Sequence, residues 1–285
     1  MTNKLSSIPL YKLQERGAAL FEVKKLDPAL HNLSSHPAHR DDNHLMMYQE
    51  SGCSTLMVDF KEITIKGAAI FCIFPGQVHC GLSTEGTLAW VMAVDPACFQ
   101  DSFRMVLMEA SIQNPLLNMD AASSKILKEC IQLLHTFDKQ VEPGFDDYTK
   151  RSMLDVCLSL FISQYQKQVP PSTGPNLRST IITRQFRGLL MTNYRTMKSP
   201  SEYAVALNIS SSYLNEVVKE SSGHPVSYWI HQEIIMEAKR MLYYSDNNVK
   251  EIAYHLGYTD PTYFIRLFTK VAGISPLQFR KKHHR

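Results

Sequence analysis

Glu251-Ile-Ala-Tyr-His-Leu-Gly-Tyr258, followed two residues later by Pro261-Thr-Tyr-Phe-Ile-Arg-Leu-Phe-Thr-Lys-Val-Ala-Gly273, decides how the C-terminal third of this chain folds. Asn248-Val249-Lys250-Glu251 opens the first stretch as a capping box, and Asp260-Pro261 opens the second with a cap residue followed by proline at the first helical position. Gly257 and Gly273 stand where helices should stop. Within the longer stretch Phe264, Leu267, Phe268 and Val271 recur at helical spacing and form one apolar stripe, which must face a core. Thr262, Ile265, Arg266 and Thr269 then point away from it. A short helix, a tight turn and a longer helix with a polar outer face make a helix-turn-helix unit.

The same unit occurs once before. Glu202-Tyr-Ala-Val-Ala-Leu-Asn-Ile209 and Ser211-Ser-Tyr-Leu-Asn-Glu-Val-Val-Lys-Glu-Ser-Ser-Gly223 repeat the pattern, with Tyr213 matching Tyr263, Leu214 matching Phe264, and Val217-Val218 matching Leu267-Phe268. Ser199-Pro200-Ser201-Glu202 is its capping box. Leu214, Val217 and Val218 face inward, leaving Ser211, Ser212, Asn215, Glu216 and Lys219 outside. Between the units Val226–Tyr243 reads as one helix carrying Trp229, Ile230, Ile234, Met241 and Leu242; about 18 residues rise about 27 Å, enough to hold two reading helices near the roughly 34 Å of one DNA turn. Ser275-Pro276-Leu277-Gln278 caps a last helix.

Charge divides the chain as this pattern does. Residues 178–285 carry 15 Lys and Arg against 8 Asp and Glu, a net +7, while residues 1–177 carry 15 against 19, a net −4. A basic C-terminal third beside an acidic remainder points to a polyanionic partner for one part only. With 44% hydrophobic and 20% charged residues among 285, the chain is of ordinary globular composition and long enough for about two domains. It has no apolar run of membrane-spanning length and no apolar signal core at the N-terminus, so a cytoplasmic protein without membrane contact is expected. Cys53, Cys72, Cys80, Cys98, Cys130 and Cys157 form no C-x-x-C pair and are read as reduced thiols.

Residues 180–284 resemble the DNA-binding domain of the AraC/XylS family of regulators. The second unit, EIAYHLGYTDPTYFIRLFTKVAGISPLQFRK, follows that family's signature almost throughout; the first, LNISSSYLNEVVKESSG, follows it more loosely and has few basic residues on its reading face. The resemblance implies seven helices with two recognition helices in adjacent major grooves. Carried over by position, Ser212, Asn215, Glu216, Thr262, Ile265 and Arg266 are the base-reading candidates. Asn pairs with adenine, Arg with guanine, Glu accepts from cytosine, and Ile265 suits a thymine methyl. Ser211, Lys219, Lys270, Arg280 and Lys281 are placed for phosphates, which position without specifying.

Residues 44–94 read as short strands. His44–Glu50 is followed by a turn at Ser51-Gly52. Ser54–Phe60 has Leu56, Val58 and Phe60 on one face, and Lys61-Glu62 turns the chain into Ile63–Ile65. Lys66-Gly67 turns it again, Ala68–Phe74 ends at Pro75-Gly76, and Thr87–Val94 follows. Helical periodicity begins at Phe103, Val106, Leu107 and Ala110 and continues near Ser123–Lys139 and Asp146–Gln168. Val169-Pro-Pro-Ser-Thr-Gly-Pro-Asn176 is then a stiff link. The domains are therefore expected at 1–168 and 178–285, with 169–177 between them. The segment Ile73-Phe-Pro-Gly-Gln-Val-His79 resembles the cupin-type barrel that many of these regulators carry. The fold class expected is α+β in two domains: a cupin-like β-barrel with following helices that often form the dimer, then an all-α domain.

In that family the barrel binds a small effector or mediates contacts. Met46, Tyr48, Phe74, His79, Trp90 and Met92 are the candidate pocket residues, although the sequence leaves open which strand face points inward. His39, His44 and His79 are able to converge, but the P-G-x-x-H segment has a single histidine and no compact H-x-H pair with a following Glu. No metal, cofactor or catalytic residue is therefore expected. A repair methyltransferase, which uses a similar DNA-binding unit, would need a cysteine metal cluster that this spacing does not supply. The chain is expected to be a regulator, an activator by family precedent, with promoter DNA, RNA polymerase, a second copy of itself and a small effector as partners.

Overall fold

The computed structural model describes residues 8–13, 15, 20–27, 37–100, 103, 106–107, 116–140, 147–167 and 177–283. The Pro-rich link and most of the 103–110 segment lie outside them. The described residues from Pro9 to Lys167 and those from Leu177 onward fall into two compact units.

The first unit is built on an antiparallel sheet. Its strands are β2 (Phe21–Leu26), β4 (His44–Val58), β5 (Lys61–Lys66), β6 (Ala69–Ile73), β7 (His79–Val94) and β8 (Leu116–Asn118), in the order β2-β7-β4-β6-β8, with β5 on the far half of β4. A short parallel pair, β1 (Leu10–Tyr11) and β3 (Arg40–Asp41), lies apart from it. Among the described residues no ladder joins β2 to β8, so closure of the expected barrel is not seen.

The last strand, β7, begins at His79 and not at Thr87, and two turns also differ from the sequence reading. Ser51-Gly52 is not a turn. The strand continues through it, and the register against β7 shifts between Gln49 and Ser51 and again before Cys53. These are bulges, which bend a long strand without ending it. Gly52 sits at φ 87, where an added Cβ would lie 2.4 Å from the Gly86 carbonyl oxygen, so only glycine fits this crossing. The hairpin falls at Asp59-Phe60, both with positive φ, rather than at Lys61-Glu62. Phe60 therefore leaves the face that Leu56 and Val58 occupy.

Strand alternation divides the apolar side chains into two clusters. Met47, Leu56, Val58, Ile65, Phe71 and Ile73 gather on one face. Met46, Tyr48, Phe74, Trp90 and Met92 gather on the other, packed with Leu127, Ile131, Leu154, Phe161 and Tyr165 of helices α1 (Ala121–Gln140) and α2 (Asp147–Gln166). The five side chains named as pocket residues are thus the sheet's contact with its helices. Met46 and Met92 are fully buried, and the Tyr48 hydroxyl and Ser124 Oγ lie 2.7 Å apart in hydrogen-bond contact. A strand register fixes which residues share a face, but not which face receives the helices. The sixth candidate, His79, lies outside this cluster.

The second unit contains seven helices among its described residues: α3 (Leu177–Asn193), α4 (Pro200–Ala206), α5 (Ser211–Ser222), α6 (Val226–Tyr244), α7 (Val249–His255), α8 (Pro261–Ala272) and α9 (Pro276–His283). Helix α6 is the spine, with Ile230, Ile234, Ala238 and Leu242 fully buried. Its buried Glu237 is satisfied by Arg240 at 3.1 Å and Arg195 at 3.4 Å, as an acid in a core must be.

Candidate nucleic-acid interface

The two α4–α5 and α7–α8 pairs repeat one another in their caps as well as their stripes. Glu202 and Glu251 each close a capping box, on Ser199 and Asn248. Helices α5 and α8 are each 12 residues long. Ser210 Oγ accepts from the Tyr213 N–H at the start of α5, and Asp260 Oδ1 accepts from the Thr262 N–H at the start of α8. Both end on a left-handed glycine, Gly223 at φ 75 and Gly273 at φ 77. The bend inside each unit also needs a left-handed residue, which is Asn208 at φ 54 in the first and Gly257 at φ 82 in the second.

The buried and exposed faces fall as the stripes require. Leu214, Val217 and Val218 are buried on α5, and Phe264, Leu267 and Phe268 on α8. Thr262, Ile265, Arg266, Thr269 and Lys270 are exposed on α8, while Ser212, Glu216 and Lys219 are exposed on α5 and Ser211 is half-buried there. Lys281 is exposed on α9. Lys270 also reaches toward His231 of α6, whose pKa is lowered by burial first and by that lysine second.

Two of the named residues have structural partners. The Asn215 side-chain oxygen Oδ1 accepts the Val226 N–H at 3.1 Å, capping α6, and the side chain is half-buried. Arg280 donates to the carbonyls of Leu242 at 3.1 Å, Ser245 at 3.3 Å and Asn247 at 2.5 Å, closing the C-terminal end of the same helix. Its guanidinium faces inward onto protein carbonyls. The sequence signals an amphipathic stripe, but not a hydrogen bond to backbone more than thirty residues away.

A helix-turn-helix domain model matches residues 203–282, covering both units. The C-terminal unit is an AraC-family DNA-binding domain. The HTH-type transcriptional regulator YijO of Escherichia coli K12 is 28% identical over 156 residues, 53% of this chain and 52% of that protein. The HTH-type transcriptional regulator YisR of Bacillus subtilis is 29% identical over 92 residues, 32% of each. This chain therefore spans about half and about a third of the length of these two relatives. Among solved structures, ToxT of Vibrio cholerae O395 is 16% identical at a TM-score of 0.41, covering 92% of this chain and 98% of that one.

In the N-terminal unit the three histidines do not converge together. His44 packs its ring on Phe99 at 4.6 Å and on Phe74 at 5.5 Å. His39 and His79 do meet, 4.4 Å apart between ring centroids, and they meet over Asp41. The sequence reading omitted that carboxylate; the H-x-D spacing of His39 and Asp41 was the available signal. No helix among the described residues is long and apolar enough to cross a membrane.

Proposed function

We propose that this protein is a sequence-specific DNA-binding transcription regulator, an activator that works as a homodimer and recruits RNA polymerase. The observation that carries the reading is the duplicated pair of 12-residue helices, capped alike at both ends, each burying one stripe and exposing the other. The net +7 of residues 178–285 supports a polyanionic partner for that part. Arg266 and Thr262 read bases together with Ile265, Ser212 and Glu216, while Lys219, Lys270 and Lys281 hold phosphates. Asn215 and Arg280 support the domain from within. The protein acts by binding and not by catalysis.

The N-terminal domain, residues 1–168 in a cupin-like arrangement, senses and dimerises, and 169–177 link it to the DNA-binding domain at 178–285. Exposed Ile126 and Leu133, seven residues apart on one face of α1, support a helix-mediated dimer. An effector shifts DNA binding only through unequal affinity for two arrangements of the dimer.

Titration of the full chain with labelled duplex DNA at several salt concentrations tests the central statement. Binding with a linear fall of log affinity against log salt, at a slope set by several phosphate contacts, is the expected result. Absence of binding, or affinity indifferent to salt, would leave a helical protein-interaction module in its place.

A further inference from the structure

Three side chains outside the DNA-binding domain are arranged as ligands. His39 Nε2 lies 3.8 Å and His79 Nε2 3.3 Å from the same oxygen, Oδ2 of Asp41. The ligating atoms of all three lie within 4.8 Å of one another. Asp41 and His79 are buried and His39 is largely so.

The other ring nitrogens fix what these atoms offer. His39 Nδ1 lies 2.9 Å from the Pro37 carbonyl oxygen, and His79 Nδ1 lies 3.1 Å from that of Gln77. A carbonyl only accepts, so each Nδ1 carries the proton, and in a neutral ring each Nε2 then presents a lone pair. With neutral rings, two lone pairs and a carboxylate oxygen face one another, a donor set that suits a cation. Backbone hydrogen bonding of Nδ1 with Nε2 turned to the site is also how metal-binding histidines are held. The 3.3 Å between His79 Nε2 and Asp41 Oδ2 matches two ligands about 2.0–2.1 Å from one ion at a tetrahedral angle, while His39 Nε2, at 3.8 Å, must move inward to share that ion.

The backbone holds these groups before any ion arrives. His39 N donates to His79 O at 3.1 Å and His79 N to His39 O at 2.8 Å, so the two histidines are locked in one antiparallel bridge. Asp41 lies in β3 beside β1, its carbonyl accepting from Gly76 N at 2.8 Å. The turn that presents Gln77 is pinned by Asp59, which accepts from Gln77 Nε2 at 3.1 Å and from Val78 N at 3.1 Å.

We propose that His39, Asp41 and His79 form a two-histidine, one-carboxylate site for a divalent first-row transition-metal ion, a ligand set that suits such ions and leaves coordination positions open. This inference is independent of DNA binding. The test is equilibrium dialysis of the full chain against Zn²⁺, with bound metal counted by elemental analysis, and Co²⁺ substitution followed by absorption. One ion per chain is expected, with d–d bands of nitrogen and oxygen ligation and no thiolate charge-transfer band. His79→Gln and Asp41→Asn should each weaken binding more than about 100-fold, since even an outer-shell partner is worth 10- to 100-fold. Circular dichroism checks that each variant is folded. Where one is not, the Co²⁺ spectrum of the parent chain decides. No stoichiometric metal, a thiolate band, or folded variants that bind as tightly as the parent would each overturn the proposal.

Discussion

Arg266 and Lys270 lie one turn apart on the exposed side of α8, yet they should fail differently when removed. Arg266→Ala should cost about 1–3 kcal/mol of affinity and relax preference at one base pair, whereas Lys270→Ala should weaken all sequences alike and flatten the salt slope by about one. Competition titrations against single-position DNA variants separate the two. Both positions were legible in the sequence, because a stripe at helical spacing fixes the outward face. Asn215 was legible only as a position on that face. Its side-chain oxygen caps α6, so Asn215→Ala should lower the unfolding free energy by about 1 kcal/mol, read from the urea midpoint without DNA. Lys198 was not legible at all. It donates to the carbonyls of Tyr194 at 2.6 Å and Leu256 at 2.5 Å, and burial brings its pKa down to about 8. An unfolded lysine titrates near 10.4, so between these values the unfolded chain holds a proton that the folded chain has released. Stability of this domain should therefore rise from about pH 8 toward pH 10, and Lys198→Met should lose that rise in urea melts across the window.

The helix-turn-helix element shows what a repeat conceals as well as what it reveals. Asn208 and Gly257 occupy the same place in their units, and both are left-handed. At Gly257, however, an added Cβ would lie 2.0 Å from the backbone oxygen of Arg195. Gly257→Ala should thus destabilise by at least about 2 kcal/mol, from strain and a backbone collision together, while Asn208→Gly should stay within about 1 kcal/mol of the parent. Thermal unfolding of the two variants makes the comparison. A result with Gly257→Ala neutral would contradict the close packing at that turn. Caps and glycines were readable here because each acts within a few residues. In the sheet, alternation gave the grouping of residues, but Ser51-Gly52 resembles a turn to local reading when only its partner Gly86 makes it a bulge. The choice of helix-covered face was illegible for the same reason, since it is set by α1 and α2, more than thirty residues from the end of β7 in the case of α2.

For the molecule as a whole, the charge division and the position of the DNA-binding domain were plain in the sequence, and the metal-like cluster was half seen. The histidines were noticed, but Asp41 joins them only through the β1–β3 pair and the bridge at His39. If α1 mediates the dimer, Leu133→Asp, at a position 60% exposed, should shift the sedimenting species toward monomer without loss of helix content, and weaken DNA binding through loss of the second half-site contact. The most direct measurement is selection of randomised duplex DNA by the purified full chain, followed by sequencing of the bound fraction. Enrichment of two conserved boxes about one helical turn apart, one of them altered when Arg266→Ala is used, is what two equivalent reading helices predict. Recovery of DNA without any common sequence would contradict base reading by α5 and α8.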